Sequence, residues 1–186
     1  MLFLTVLENT GGRTNPSRVE ELGTLWDASS GTTQFGEFIN LILKGNLVAR
    51  MDRQAAAESF KEANQIGTQL LGEKHLIMSL FSGRHATVLS NLGKTNEAMT
   101  MLEAALENVG SSQGENFILV GNLAHTLGGI ASSVGDFPTA ENSFRRAVQV
   151  YTKHLEVNES ELYLKQYRQS ILRLSVALTM QGKYRK

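Results

Sequence analysis

The chain has 186 residues, a formal net charge of +0 and no cysteine. These values exclude disulfide frameworks and thiolate metal sites, and no net charge attracts the chain to nucleic acid or to a membrane surface. Two prolines and an aromatic content of 7% favour helical structure. The apolar start, residues 1–7, is too short for a secretory leader or a membrane span, so we expect a cytoplasmic protein and leave an organelle matrix open.

The first part of the chain, residues 1–32, differs in composition from the rest. Gly, Ser, Thr and Asn cluster in Asn9-Thr10-Gly11-Gly12 and in Ser29-Ser30-Gly31. Between these clusters Ser17 is a suitable N-cap, and apolar residues follow it at helical spacing, namely Val19, Leu22, Leu25 and Trp26. We therefore predict a poorly ordered N-terminal segment with one short helix.

A repeat of 42 residues governs the remainder of the chain. When Gly93 is aligned with Gly135, the small and large apolar residues that follow also align: Ala98 with Ala140, Leu102 with Phe144, and Ala105 with Ala147. One repeat earlier, the same three positions hold Ala56, Phe60 and Ala63. A fixed period of this size is typical of stacked helical hairpins, so we predict an all-α solenoid.

The repeat divides residues 33–186 into three and a half units: 33–74, 75–114, 115–159 and 160–186. Helical periodicity predicts pairs of helices over 33–50 with 53–71, over 75–91 with 95–109, and over 115–134 with 138–155. A last helix is predicted over 160–181, followed by Gly182. The fourth hairpin is therefore half present.

Small residues mark the positions at which helices are expected to approach closely. Ala98 and Ala140 should face across their hairpins, and Gly93, Gly135 and Gly182 should end helices in the left-handed conformation. The first unit has Met51 at the corresponding turn, so that turn should differ. The pair Gly128-Gly129 lies inside a helix, where glycine costs roughly 1 kcal/mol relative to alanine. Each of these two glycines therefore needs a reason, either packing or ligand binding.

These residues resemble the tetratricopeptide repeat. The third unit carries the pattern most fully, with Leu127-Gly128, Gly135-Asp136-Phe137, Ala140, Phe144 and Ala147. The 42-residue length, the stretch Leu70-Leu71-Gly72-Glu73-Lys74-His75 and the run Asn122-Leu123-Ala124 are similar to the long repeats of kinesin light chains. The resemblance implies a right-handed superhelix whose concave groove binds a peptide or helix of a partner protein.

The repeat predicts which residues line the groove. The first helix of each unit contributes two of them, and the eight candidates are Leu41, Gly45, Gly83, Thr87, His125, Gly129, Leu172 and Val176. None of them is Lys or Arg. Helical repeats that read RNA base by base need polar and stacking residues that recur at one position in every repeat. These positions show no such recurrence, so nucleic acid is not the predicted partner. His125 is expected to be a hydrogen-bonding groove residue.

Nothing in the sequence indicates an enzyme, a metal site or a cofactor. No two of the four histidines have the i, i+4 spacing of a helical metal site. The run Gly93-Lys94-Thr95 resembles the end of a phosphate-binding loop, but that loop needs a glycine where Val88 stands.

The C-terminal end carries the second candidate surface. Residues 145–186 contain nine Lys or Arg against three Asp or Glu, whereas residues 1–144 contain nine against fifteen. We expect helix 160–181 to expose apolar and basic residues that would contact an acidic partner surface or a second copy of the chain: Arg168, Arg173, Leu174, Leu178, Lys183 and Arg185. The alternative function is therefore a structural subunit of a larger complex that uses its convex face and this open end.

Overall fold

The computed structural model describes residues 33–115, 117–157 and 160–182, and every regular element in them is an α-helix. The predicted N-terminal helix lies outside the described residues. The seven helices are α1 Gln34–Val48, α2 Arg53–Leu71, α3 Leu76–Asn91, α4 Thr95–Gln113, α5 Ile118–Ser133, α6 Phe137–Val157 and α7 Glu161–Met180. They form three antiparallel hairpins, α1–α2, α3–α4 and α5–α6, followed by α7.

Two kinds of turn connect the helices within hairpins. Gly93 and Gly135 have φ of 81° and end the turns after α3 and α5, and Gly182 has φ of 69° after α7. These left-handed residues confirm the prediction, because glycine adopts this conformation without a Cβ penalty. No other residue type in the described ranges has positive φ, so the turn around Met51 differs as expected.

Side-chain caps fix where several helices begin. Thr33 Oγ1 accepts a hydrogen bond from the Gly36 amide at 3.2 Å, and Asp52 Oδ1 accepts one from Ala55 at 2.9 Å. Asp136 Oδ1 accepts a hydrogen bond from the Thr139 amide at 3.1 Å. Each cap satisfies an amide that has no partner within the helix.

Helices α4, α5 and α6 differ from the predicted ranges by two to four residues. Helix α4 continues to Gln113 instead of residue 109, and α5 begins at Ile118 instead of residue 115. The cause is Gly114, whose φ of 89° ends α4. Helix α6 continues to Val157, since no glycine follows it at the corresponding point.

Each hairpin is closed by a large residue of its second helix against a small residue of its first. A Cβ added at Gly45 would lie 2.8 Å from the Phe60 ring, and one added at Gly128 would lie 2.8 Å from the Phe144 ring. In the second hairpin, Ala86 and Leu102 occupy the equivalent positions and both are fully buried. We call these three positions on the first helices the small-residue slot.

The predicted close-packing alanines are confirmed. Ala98 and Ala140 are both 0% exposed. They lie in the second helices four residues before Leu102 and Phe144, which are also fully buried. Larger side chains at these alanines would therefore force the helices of a hairpin apart.

The hairpins stack so that the first helices lie on one side. Helix α3 contacts α5 and α5 contacts α7, whereas the second helices meet mainly the first helices on either side of them. Closer approach between the first helices bends the stack towards them. The concave face is therefore lined by α3, α5 and α7.

Candidate partner-binding groove

The last helix supplies an apolar wall to the concave face. Leu172 is 65% exposed and Val176 is 49% exposed, and both were predicted groove positions. Leu162 and Met180 are also exposed and follow the same side of α7 at helical spacing. Because Leu172, Val176 and Met180 follow one another at intervals of four residues, they form a continuous apolar row, which differs from the scattered apolar residues that every protein surface contains.

A cavity of about 400 Å³ lies between α5 and α7, next to this wall. Its lining combines apolar, amide, hydroxyl and guanidinium groups: Ser132, Gln169, Leu172, Arg173 and Val176. The sequence placed Arg173 on the C-terminal surface, but the structure brings it to the groove as well. Gln169 was missed because a single glutamine on an amphipathic helix has no feature that distinguishes it from the solvated face.

The two adjacent glycines of α5 have different surroundings. Gly128 is explained by packing, because the Phe144 ring leaves no room for a Cβ. At Gly129 an added Cβ would meet nothing within 4 Å. Packing therefore does not account for Gly129, although glycine inside a helix costs about 1 kcal/mol relative to alanine. The open floor at Gly129 lets a ligand approach the helix backbone.

The groove continues from α5 to α3 with a small, polar surface. Thr87 is exposed, and its hydroxyl donates to the Gly83 carbonyl at 2.8 Å. Gly83 is half-buried, and a Cβ there would lie 3.5 Å from Leu123 Cδ2. Gly83 therefore lies at the border between the groove and the contact with the third hairpin.

His125 joins the third hairpin to α7. Its Nδ1 lies 2.7 Å from Ser170 Oγ, and its ring meets the Phe144 ring edge-on at a centroid distance of 5.7 Å. Ser170 Oγ also lies 2.8 Å from the Gln166 carbonyl oxygen, to which it donates. Burial lowers the pKa of His125, and the nearby Arg173 lowers it further. This nitrogen is therefore engaged within the chain and not available to a ligand.

Two predicted groove positions of the first hairpin lie elsewhere. Gly45 is buried against Phe60 and belongs to the small-residue slot, which corrects its assignment to the groove. Leu41 is half-buried and packs on the first core cluster with Phe38 and Ile42. The error has a simple origin, because α1 ends without a glycine and the alignment of the first unit was displaced by one residue.

The Asn122-Leu123-Ala124 run has a structural role. Asn122 Oδ1 accepts a hydrogen bond from the Tyr151 hydroxyl at 2.9 Å, while Leu123 and Ala124 are buried in the core. Tyr151 is 1% exposed, and burial raises the pKa of its hydroxyl. Asn122 therefore satisfies a buried phenol that would otherwise lack a partner.

Charge is distributed unequally between the two kinds of helix. Helix α5 has no Asp, Glu, Lys or Arg, and α3 has only Arg84, whose pKa is lowered by burial. The second helix α4 carries the acidic residues Glu97, Glu103 and Glu107. The middle of the concave face is therefore free of carboxylates, and Arg173 adds a positive charge at the α7 side.

The predicted C-terminal surface is only partly exposed. Leu174 and Leu178 are half-buried rather than exposed, and Leu174 packs on the cluster of Ala131, Ala140 and Phe144. Arg168 and Arg173 are exposed. Lys183 and Arg185 lie outside the described residues. The exposed apolar residues of α7 are instead those of the wall defined above, together with Ile171.

The described residues contain no cluster of three or more His, Asp or Glu that could hold a metal ion. Among the described helices, none has the length and hydropathy that crossing a bilayer requires.

The sequence matches no protein family and no curated protein. The fold has clear relatives among solved structures. The crystal structure of BtubC (BKLC) from P. vanneervenii superposes with a TM-score of 0.79 over 90% of this chain and 68% of that chain, at 18% sequence identity. This likeness confirms the predicted fold class: the chain is an all-α solenoid of antiparallel helical hairpins of the tetratricopeptide type.

Proposed function

We propose that this protein is a non-enzymatic interaction scaffold that binds a peptide or helix of a partner protein in the groove between α5 and α7. The observation that carries the proposal is the exposed apolar pair Leu172 and Val176, which lines a cavity together with Ser132 of α5, the helix that also holds the open position Gly129. Burying these two side chains would contribute several kcal/mol of binding free energy at about 25 cal/mol per Å².

The groove supplies the other parts of a peptide site. Gly129 and Ser132 would admit the ligand backbone, while Gln169 would hydrogen-bond to it and Arg173 would pair with a ligand carboxylate. The repeat length favours the long-helix branch that includes kinesin light chains. The lack of cysteine fits the cytoplasm.

The second candidate is a structural subunit of a larger complex. It is supported by Ile171, an apolar residue that is 41% exposed on the side of α7 away from the groove. In this case the partner would contact the end of the stack and not the concave face.

Site-specific photo-crosslinking in the native source distinguishes the two candidates. A photoreactive phenylalanine analogue replaces Val176 in the groove, Ile171 at the end of the stack, or Glu103 on α4 as a control. We expect a discrete crosslinked protein from position 176 and none from position 103. A crosslink from position 171 with none from 176 would support the complex subunit instead.

A substitution series tests the groove with the partner so identified. Gly129→Leu should fill the open floor and weaken binding by at least about tenfold, because about 1.4 kcal/mol of lost contact changes affinity tenfold. Ala104→Leu, at an exposed position on α4, is the matched control and should leave binding unchanged. Equal binding by both variants would contradict the groove proposal.

A further inference from the structure

The small-residue slot recurs at a fixed distance from the end of each first helix. Ala86 and Gly128 each lie seven residues before the left-handed glycines Gly93 and Gly135. In α7 the residue seven positions before Gly182 is Ser175. Ser175 is therefore the equivalent slot of the last helix.

No second helix in the described part of the chain fills the slot at Ser175. The residue is half-buried, and its hydroxyl donates to the Leu172 carbonyl of its own helix at 2.7 Å. Ile171, one turn earlier on this side, is 41% exposed, whereas its equivalent in α5, Ala124, is 0% exposed beneath α6. The surface that continues the interface of the third hairpin is thus apolar and uncovered at its centre.

The complete hairpins specify what such a surface accepts. Every second helix carries a large apolar residue, with one small residue four positions before it and another three positions after it. All nine of these residues are buried: Ala56, Phe60 and Ala63 in α2, Ala98, Leu102 and Ala105 in α4, and Ala140, Phe144 and Ala147 in α6. The large residue enters the slot, and the small residues allow the helix axes to approach.

The charge at this surface adds a further requirement. Gly121 of α5 faces Val150 and Tyr151, which follow Phe144 by six and seven positions. The equivalent of Gly121 in α7 is Arg168, which is exposed and has no salt bridge to any described residue. In a helix docked here, the residue six or seven positions after the large apolar residue would lie beside the Arg168 guanidinium. A carboxylate is favoured at that position.

We propose that α7 binds an amphipathic helix of a partner protein on the face formed by Ser175, Ile171 and Arg168. The partner helix carries Phe or Leu with a small residue four positions before and three positions after it, and Asp or Glu six or seven positions after it. Its large residue packs on Ser175 and Ile171, and its carboxylate pairs with Arg168. This surface is separate from the groove, so the proposal does not depend on groove binding; it specifies the contact that the second candidate function would use.

The probe is a labelled synthetic peptide of residues 137–157 of this chain with Tyr151→Glu, which has the required pattern. We expect it to bind the intact protein in a fluorescence anisotropy titration. The peptide with the additional change Phe144→Ala should bind at least tenfold more weakly, as should the protein variant Ser175→Leu, whose slot is filled. Arg168→Gln should weaken binding only when the peptide carries the glutamate.

Cysteine pairing locates the peptide, because the chain has no cysteine of its own. Ser175→Cys in the protein should form a disulfide with a peptide bearing cysteine at position 144 in a glutathione buffer, whereas Val176→Cys on the groove side should not. Circular dichroism of Ser175→Leu shows that the fold is retained. Binding that is insensitive to both Phe144→Ala and Ser175→Leu would overturn the proposal. Concentration-dependent oligomers of the chain that Ser175→Leu abolishes would also overturn it, in favour of a second copy.

Discussion

Gly128 and Gly129 provide a stringent test of the packing described above, because the same substitution at neighbouring residues should change stability in opposite directions. At Gly128 a Cβ would lie 2.8 to 3.0 Å from three atoms of the Phe144 ring, which is 0% exposed and cannot move outwards. At Gly129 a Cβ would enter open space.

The magnitudes follow from two opposing contributions. Alanine stabilises a helix interior by about 1 kcal/mol relative to glycine at either site. At Gly128 this gain is outweighed by overpacking, which costs about 1–3 kcal/mol. We expect Gly129→Ala to raise the free energy of unfolding by about 0.5–1 kcal/mol and Gly128→Ala to lower it by up to about 2 kcal/mol.

Guanidinium denaturation followed by circular dichroism measures both variants against the parent. The double variant Gly128→Ala/Phe144→Leu reproduces the Ala86–Leu102 pair of the second hairpin, so it should recover most of the stability lost in Gly128→Ala. An increase in stability for Gly128→Ala alone would refute the small-residue slot. A double variant no more stable than Gly128→Ala would refute the equivalence of the hairpins.

Three further predictions concern the interior. Ala140→Leu should destabilise the protein by about 1–3 kcal/mol. The control Ala104→Leu, on an exposed face, should change stability by less than about 0.5 kcal/mol. Overlapping melting curves for these two variants would contradict the assigned packing. Burial lowers the pKa of His85 from 6.5 to about 4, so the unfolded state takes up the proton first and stability should fall as pH drops from 6.5 towards 4. Urea midpoints over this range should vary less with pH in His85→Leu, and an unchanged slope would exclude His85 as the cause. Tyr151→Phe should cost about 0.5–1.5 kcal/mol in chemical denaturation through the lost bond to Asn122, and a neutral result would show that the bond contributes no net stability.

The sequence predicted the fold because each hairpin repeats the same steric requirements. A left-handed turn needs glycine, and a close contact between two helices needs alanine or glycine. Both kinds of position recur every 42 residues. The first unit was less predictable, since its turn lacks the glycine and Gly45 was therefore assigned to the groove instead of the slot against Phe60.

The groove was predicted in part, for a different physical reason. Leu172, Val176 and Gly129 follow from the repeat because the helix periodicity fixes which side faces inwards. His125 makes a hydrogen bond as expected, but its partner did not follow from the sequence, since Ser170 lies 45 positions away on another helix. Arg173 and Gln169 reach the cavity through long side chains, whose direction depends on neighbours that periodicity does not specify.

Burial along the stack falls steeply at its last helix, and this gradient has a consequence for dynamics. Helix α5 has nine buried residues, whereas α7 has only Ser170 and Ala177. Local opening costs least where the fewest side chains are buried, so amide hydrogens of α7 should exchange with solvent sooner than those of α5. Since α7 is one wall of the groove, a ligand bound against it would hold the helix in place and slow that exchange. Ligand binding in the groove would then be detected as slower hydrogen exchange of the α7 amides. This would hold even for a ligand that leaves the average structure unchanged.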